Sequence, residues 1–252
     1  MDPYIGITGF TGSEEVAGAL RIFPPAGKRK LMVGVLATYK SLRGIPMKEK
    51  WAKQTPKSED VAHIFLPDSH ALNLVHLSTE EDQKETLLAD MIRINEVAGP
   101  FLHGFQLNVA WPQMNQLYTY RATLGQHHKI VLQIGQKAVE QAGGTAEGVV
   151  KHLELYKENI DAILLDPSGG KGRPFDPERA YELLTAIQEQ GWDLALGVAG
   201  GLGPQSFHLV KNLVGDFPDL NIDAQGKLRN QDNELDQEMV KTYLRKAFTI
   251  FS

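Results

Sequence analysis

Short apolar runs alternate with longer amphipathic segments along the sequence, and this alternation constrains the fold more than any other feature. Several of the short runs are apolar almost without interruption, among them LMVGVLA, IVLQI and AILLD. Such runs are typical of parallel strands that are buried on both faces. Because helical patterns lie between most of the runs, the sequence predicts a parallel sheet whose strands are connected by helices.

Strands can be placed at eight positions in this chain of 252 residues. Eight strands with intervening helices at this length favour a (β/α)8 barrel, and we predict one such domain over residues 1–252. An open, doubly wound sheet is the alternative. The predicted strands cover residues 4–9, 30–37, 71–77, 105–110, 129–134, 162–166, 194–199 and 220–223. The predicted helices cover residues 13–22, 80–97, 113–124, 145–158, 177–190, 205–213 and 236–250.

Local signals mark two helix starts and one long connection. Ser13 and Asp176 are candidate N-caps, because their side chains can accept a hydrogen bond from a free amide of the first turn. Pro177 follows Asp176 at the first helical position, where proline is favoured. Residues 41–67 are charged and contain three prolines. We predict that they form a long loop after the second strand, with a short helix near residues 47–54.

Composition argues against several classes of function. The formal net charge of −5 disfavours general binding to nucleic acid or to anionic membranes. The chain has no cysteine, which excludes disulfides, thiolate nucleophiles and cysteine-ligated zinc. Its histidines show no ligand spacing, so we expect neither a metal site nor a cofactor. With no recognisable signal peptide or membrane-spanning run, we expect a cytoplasmic protein with a small-molecule partner.

Glycine-rich segments follow the seventh and eighth predicted strands, as GVAGGLGP and NIDAQGKLR. In a barrel these two loops commonly form a phosphate site, because glycine lets the backbone approach an anion and free amides can donate to it. A simple turn is the alternative for either loop alone. Together they predict a phosphate site made by Gly200 and Gly201 with Ala224, Gln225 and Gly226.

Asp166 ends the sixth predicted strand, where a barrel places its functional groups. A partly desolvated carboxyl group at this position can act as a general acid or base. Aspartate before proline also begins turns, so a structural role is the alternative. Lys171 and Arg173 follow in a glycine-rich loop that could close over an anionic substrate.

Four segments, read in order, resemble the phosphoribosylanthranilate isomerase family, a (β/α)8 enzyme of tryptophan biosynthesis. The family's first strand ends in Lys-Ile-Cys-Gly-Ile-Thr, where this chain has Ile-Thr-Gly-Phe-Thr at residues 7–11. Its Lys-Ser-Pro-Arg matches Lys-Ser-Leu-Arg at residues 40–43. Its Leu-Leu-Asp and the following Gly-Gly-Thr-Gly-Lys-Thr-Phe-Asp match residues 164–166 and 169–176. Its Ala-Gly-Gly-Leu-Asn-Pro matches residues 199–204.

The resemblance implies an Amadori rearrangement, the internal redox isomerisation of an aminoaldose to an aminoketose. It implies that Asp166 is the general acid that opens the sugar ring. It also implies that Arg43 holds the anthranilate carboxylate, and we place Lys40 of the same motif at the substrate. Gly200 and Gly201 would hold the phosphate together with the loop after the eighth strand.

Three departures from the family pattern bear on the reaction. Thr8 occupies the catalytic position of the family's cysteine base, and a hydroxyl is too weakly acidic to serve as a base unaided. The eighth strand reads Asn-Ile-Asp-Ala-Gln-Gly-Lys at residues 221–227, without the family's paired serines, and the segment 44–67 exceeds the usual length. Two alternatives therefore stand: another sugar-phosphate epimerase or lyase, or a non-catalytic barrel that binds a phosphorylated metabolite.

Overall fold

The computed structural model describes residues 1–24, 27–166 and 175–251. Its parallel strands form a closed barrel in which each strand pairs with the next and the eighth pairs with the first. The predicted (β/α)8 barrel is thereby confirmed, and the open sheet is excluded. The strands are β1 (Tyr4–Thr8), β2 (Lys30–Thr38), β3 (Ala71–Ser78), β4 (Gly104–Asn108), β5 (Lys129–Gly135), β6 (Ala162–Asp166), β7 (Ala195–Val198) and β8 (Asn221–Ala224).

Helices lie between the strands and cover the outside of the barrel. Among the described helices, none combines the length and apolarity that crossing a membrane requires. The helices are α1 (Ser13–Leu20), α2 (Tyr39–Leu42), α3 (Glu49–Ala52), α4 (Val61–Ile64), α5 (Leu87–Val97), α6 (Met114–Thr123), α7 (Gln136–Gln141), α8 (Ala146–Leu153), α9 (Pro177–Gln188), α10 (Phe207–Asp216) and α11 (Gln237–Phe251).

The helix predictions are confirmed in place but differ in detail. The segment predicted as one helix over residues 80–97 begins with a 3-10 turn, Glu81–Thr86, before α5. Helix α8 ends at Leu153, five residues before its predicted end, and the amides of Leu155 and Tyr156 that follow bond to carbonyl oxygens three residues back, as in turns. The short α7 was not predicted, since Gly135 precedes it and offers no side-chain cap.

One of the two predicted N-caps is confirmed. The Asp176 carboxylate accepts a hydrogen bond from the Arg179 amide at 3.0 Å and so caps α9. The prediction for Ser13 is wrong, because Ser13 is the first residue of α1 and Gly12 is its N-cap. The Glu15 side chain reaches back to the Gly12 amide at 3.2 Å, so this carboxylate satisfies the helix start without a serine cap.

Side chains in the barrel interior are mostly apolar towards the amino ends of the strands, although one of these apolar residues, Ala199, follows the carboxyl end of β7. Full burial of one large aliphatic side chain contributes roughly 1.5–3 kcal/mol to stability. The apolar side chains inside the barrel form a cluster separate from the larger core that lies between the strands and the helices. We call them the interior apolar cluster: Tyr4, Met32, Leu72, Leu74, Val131, Ala162, Leu164 and Ala199.

Towards the carboxyl ends of the same strands the interior becomes polar. Side chains alternate between the two faces of a strand, so a residue two positions beyond a member of the interior apolar cluster also points inward. His76, Gln133 and Asp166 follow cluster members at this spacing. We call the buried polar residues at this level the polar layer: Thr8, His76, Gln106, Gln133, Asp166 and Asp223.

Candidate active site

A chain of hydrogen bonds joins two carboxyl groups across the polar layer. Gln133 Nε2 donates to Asp166 Oδ2 at 2.8 Å. Gln106 Nε2 lies 3.3 Å from Gln133 Oε1 and 3.2 Å from Asp223 Oδ2, and these two oxygens share one of its two hydrogens, because the other is donated to His76 Nδ1 at 2.9 Å. Asp166 and Asp223 are therefore connected through two side-chain amides that come from neighbouring strands, β4 and β5.

Asp223 is the most strongly perturbed acid of the polar layer. Burial and, to a smaller extent, the nearby charge of Asp166 raise the pKa of its carboxyl group to about 7, although hydrogen bonds from Thr8 and Gln106 oppose the rise. Thr8 Oγ1 lies 2.8 Å and 3.0 Å from the two carboxylate oxygens of Asp223. A carboxyl group that ionises near neutral pH is suited to acid–base catalysis.

Two glycines make room for the contact between Thr8 and Asp223. A Cβ atom on Gly34 of β2 would lie 2.5 Å from Thr8 Oγ1. A Cβ atom on Gly6 of β1 would lie 2.9 Å from Asp223 Oδ1. Both separations are shorter than van der Waals contact allows, so these strand positions accept no side chain without displacing the pair.

His76 is the remaining ionisable group of the polar layer. Burial lowers the pKa of its imidazole to about 4, so the ring is neutral at physiological pH. Its Nδ1 lies 2.9 Å from Gln106 Nε2 and accepts a hydrogen bond from that amide. Within the described residues, no group of three His, Asp or Glu side chains is placed to hold a metal ion. Because of its contact with the Gln106 amide, His76 helps to orient that side chain.

Asp166 and Thr8 occupy different environments in the polar layer. Asp166 ends β6, as predicted, and is 8% exposed. Thr8 ends β1 but is fully buried, so its hydroxyl contacts Asp223 rather than the open end of the barrel. The predicted substrate-binding residues Lys171 and Arg173 lie outside the described residues.

The predicted substrate-binding residues Arg43 and Lys40 both make ion pairs within the protein. Arg43 Nη2 lies 2.8 Å from Asp90 Oδ1 on α5, and the Asp90 side chain is only 4% exposed. Lys40 Nζ lies 3.6 Å from Glu80 Oε1. The charge of Arg43 is thus matched by a buried carboxylate, and its guanidinium group is directed to α5 rather than to the polar layer.

The two loops of the predicted phosphate site lie side by side. Gly200 and Gly201 have φ angles of 92° and 69°, which favour glycine, and their amides donate no hydrogen bond to a described residue. A Cβ atom on Gly203 would lie 2.5 Å from the Cβ of Lys227, so the loops after β7 and β8 touch. The amides of Gly200 and Gly201 therefore have no acceptor within residues 1–24, 27–166 and 175–251.

The loop after β8 presents its three predicted residues in different ways. Ala224 is buried and ends β8, whereas Gly226 is exposed and begins a short 3-10 turn. Gln225 Nε2 donates to Gln54 Oε1 at 3.0 Å, and Gln54 follows α3 in the segment after β2. The short helix predicted near residues 47–54 is confirmed by α3. Through Gln54, the segment between β2 and β3 contacts the loop after β8, on the far side of β1.

Arg229, which has no predicted role, lies at the corner between β1 and β8. Its guanidinium group donates to the carbonyl oxygens of Gly9 at 2.7 Å and Asn233 at 3.2 Å. Burial lowers the pKa of Arg229 to about 10, which leaves it positively charged at neutral pH. Gly9 has a φ of 100°, and a Cβ there would lie 1.9 Å from an Arg229 nitrogen. The corner therefore carries a half-buried positive charge.

Sequence reasoning missed Asp223 and the two glutamines that link it to Asp166. A signal for the glutamines exists, because Gln106 and Gln133 interrupt the apolar runs FQL and IVLQI at inward-facing positions. A polar side chain inside a buried strand requires a hydrogen-bonding partner. Interruptions of this kind therefore indicate a polar network in the barrel.

The closed barrel with polar groups at the carboxyl ends of its strands has the architecture of TIM-barrel enzymes. Phosphoribosyl anthranilate isomerase from Thermus thermophilus shares this fold, with 13% identity over 98% of both chains and a TM-score of 0.63. A phosphoribosyl anthranilate isomerase in complex with reduced 1-(o-carboxyphenylamino)-1-deoxyribulose 5-phosphate aligns with 17% identity over 99% of this chain and 100% of its own, with a TM-score of 0.60.

The same fold extends to a decarboxylase. Orotidine 5′-monophosphate decarboxylase from Methanocaldococcus jannaschii, complexed with the inhibitor BMP, aligns with 14% identity over 98% of both chains and a TM-score of 0.54. No protein-family model matches the sequence, and no curated protein matches it. At these identities the likeness establishes a shared fold, so the reaction has to be argued from the residues of this chain.

Proposed function

We propose that this protein is an isomerase of a phosphorylated aminosugar that catalyses an Amadori-type conversion of an aldose to a ketose. The observation that carries the proposal is the pair of carboxyl groups, Asp166 and Asp223, in one polar layer at the carboxyl end of the barrel. Such an isomerisation requires a proton donor for the ring oxygen and an acceptor for a carbon-bound proton. The polar layer supplies one candidate for each role.

Asp166 is the proposed general acid. Its protonated carboxyl group would give a proton to the furanose ring oxygen as the bond from that oxygen to C1 breaks. The nitrogen lone pair then forms a double bond to C1, which gives a protonated Schiff base. A positioned general acid of this kind contributes roughly 10²–10⁴-fold to the rate.

The phosphate would bind between the loops after β7 and β8. The amides of Gly200 and Gly201 have no acceptor among the described residues, and Gly226 is exposed in the loop that touches theirs through Gly203 and Lys227. Lys171 and Arg173 are proposed to add positive charge from the loop after β6. The ligand of one structural neighbour is a deoxyribulose 5-phosphate derivative, which supports a phosphorylated substrate.

A second candidate is a sugar-phosphate isomerase or epimerase whose substrate lacks a carboxylated ring. The observation that favours it is the ion pair between Arg43 and Asp90, because the resemblance assigns Arg43 to a substrate carboxylate. To bind that carboxylate, Arg43 would have to leave a nearly buried partner. The first candidate therefore needs Arg43 to exchange partners, and the second does not.

Purified protein assayed with phosphoribosylanthranilate and with a panel of aldose phosphates separates the candidates. Complementation of a tryptophan auxotroph that lacks the isomerase provides a test in the cell. We expect turnover that falls roughly 10²–10⁴-fold in Asp166→Asn, because the amide keeps the shape of the side chain but cannot donate the proton. Absence of turnover with every substrate, in a folded protein that still binds phosphate, would instead support a non-catalytic barrel.

A further inference from the structure

The polar layer contains a second carboxyl group, Asp223, to which the family resemblance assigns no role. We infer that Asp223 is the general base of the reaction, and that Thr8 and Gln106 are positioning residues that hold its carboxylate. This inference rests on the proposed function. It places the base on the last strand of the barrel, beside the position where the family carries its cysteine.

The difference in burial between Asp223 and Thr8 indicates which of the two side chains can contact the substrate. Thr8 is fully buried, so a bound molecule cannot touch its hydroxyl. Asp223 is 5% exposed and Asp166 is 8% exposed, and both belong to the same polar layer. The side chain at the family's base position therefore acts through its neighbour, and the neighbour keeps access to the open end.

The contacts of Asp223 fix the orientation of its carboxylate. The Thr8 hydroxyl lies 2.8 Å and 3.0 Å from the two oxygens, and Gln106 Nε2 lies 3.2 Å from Oδ2. A carboxylate oxygen has two lone pairs, so these donors leave capacity to accept a proton from the substrate. Gly6 and Gly34 keep the space around the pair clear. The carboxylate is thus held in one orientation by donors on both of its oxygens.

The ionisation of Asp223 agrees with a base that operates at neutral pH. Burial holds its pKa near 7, so both the ionised and the protonated forms are accessible. The ionised form accepts the proton, and the protonated form can return it. An ordinary aspartate, with a pKa near 3.8, would hold the abstracted proton far more weakly.

The proposed step conserves protons and electrons within the substrate and the two carboxyl groups. The Asp223 carboxylate takes the proton from C2 of the Schiff base, the C2–H electron pair forms the C1–C2 double bond, and the C1–N π electrons return to nitrogen. Asp223 then delivers its proton to C1 of the resulting enol. The enol hydroxyl proton leaves to solvent, which also reprotonates Asp166. The net change is oxidation at C2 and reduction at C1.

Asp223→Asn tests the inference directly. We expect kcat to fall roughly 10²–10⁴-fold with a much smaller change in KM, because the amide keeps the size of the side chain but cannot accept the proton. A substrate deuterated at C2 should show a larger primary isotope effect in this variant than in the wild type. Asp232→Asn, the same substitution at an exposed position of the loop after β8, is the matched control and should leave kcat unchanged.

Thr8 variants test the positioning role, with the pH profile as the readout. Thr8→Val removes the hydroxyl that stabilises the ionised carboxylate, so the ascending limb of kcat/KM should move to higher pH. Thr8→Ser keeps the hydroxyl and should restore the wild-type profile. If the ascending limb of kcat/KM stays at the same pH in Thr8→Val, Thr8 has no role in the mechanism. The proposed orientation of Asp223 by Thr8 would then be wrong as well.

The outcomes distinguish this inference from the proposed function. Turnover that depends on Asp166 but survives in a folded Asp223→Asn would overturn the inference and leave the proposed function standing. Absence of wild-type turnover on every phosphorylated substrate would overturn both. Thermal unfolding of each variant confirms that the protein is folded. Should Asp223→Asn not fold, the shift of the pH profile in Thr8→Val decides the question.

Discussion

The two halves of the barrel interior differ sharply although the same strands build both. In β6, Leu164 belongs to the interior apolar cluster and Asp166 belongs to the polar layer. In β5, Val131 and Gln133 stand in the same relation. One half is held by apolar packing and the other by hydrogen bonds between side chains. The comparison teaches that a step of two residues separates the part of the barrel that stabilises the fold from the part equipped for chemistry.

The polar half is tolerated because its groups bind one another. A polar group buried without a hydrogen-bonding partner costs roughly 1–3 kcal/mol, and an unpaired charge costs more. Gln106 and Gln133 supply donors to both carboxyl groups, and His76 remains neutral. In the interior apolar cluster the one polar side-chain group is the Tyr4 hydroxyl, which has no hydrogen-bond partner among the described residues. The same substitution should therefore have different consequences in the two halves.

The largest change in the free energy of unfolding should come from a carboxyl group placed two residues before Asp166 in β6. Leu164→Asp places an acid in the interior apolar cluster, and an isolated buried charge costs several kcal/mol of the roughly 5–15 kcal/mol that stabilise a typical domain. We expect loss of cooperative unfolding, measured by denaturant titration with circular dichroism. Leu164→Ala is the control and should remain folded while losing about 2–5 kcal/mol. If Leu164→Asp were as stable as Leu164→Ala, the contrast between the halves would not hold.

A smaller change in the free energy of unfolding, an increase rather than a decrease, should come from removing the charge at Asp223. The folded pKa of about 7 lies above the ordinary value of 3.8, so the folded state binds the proton more tightly than the unfolded state. The stability that protonation provides is complete below pH 4 and is lost as the pH rises through 7. Asp223→Asn should therefore be more stable than the wild type at pH 8, by at most about 4 kcal/mol.

Denaturant titrations at pH 8, 6 and 4.5 provide this measurement. The advantage of Asp223→Asn over the wild type should shrink as the pH falls from about 7 towards 4, because the wild-type carboxyl group becomes neutral over that interval. Asp232→Asn, which changes an exposed carboxylate, should show no comparable pH dependence. A constant difference across the three pH values would argue against the raised pKa.

The smallest effect should come from a substitution at the boundary between the halves. A Cβ atom on Gly6 would lie 2.7 Å from Met32 Cε and 2.9 Å from Asp223 Oδ1, so it would press on both the interior apolar cluster and the polar layer. We expect Gly6→Ala to cost about 1–3 kcal/mol of stability. Gly12→Ala is a control, since a Cβ there meets no neighbour within 4 Å. Equal stability of the two variants would show that the boundary is loosely packed.

The sequence predicts the fold well because the relevant signals are local. Each apolar strand and each amphipathic helix can be read within about ten residues, and Asp166 stands out because it ends such a strand. Asp223 was missed for a physical reason. Asp223 also ends its predicted strand, but its partner Thr8 lies 215 residues away and meets it only through the pairing of β8 with β1, which no local pattern announces.

Contacts between distant segments explain the other differences. Asp90 lies 47 residues beyond Arg43, and no local pattern announces that the two will pair. Arg229 reaches Gly9 across 220 residues, and Gln54 reaches Gln225 across 171. These contacts form only because the closed barrel brings distant strands and loops next to one another. Local periodicity therefore indicates which elements form but not which side chains meet.

The pairing of β8 with β1 has a consequence for how the protein matures. Thr8 and Asp223 are 215 residues apart, so Asp223 must leave the ribosome long after Thr8 before the two can meet. Forming contacts of such long sequence separation is slow, because the chain must first lose the entropy of a very large loop. A nascent or truncated chain would therefore contain Thr8 without the carboxylate it serves. During refolding, the recovery of activity should report the closing of the barrel rather than the earlier formation of its helices.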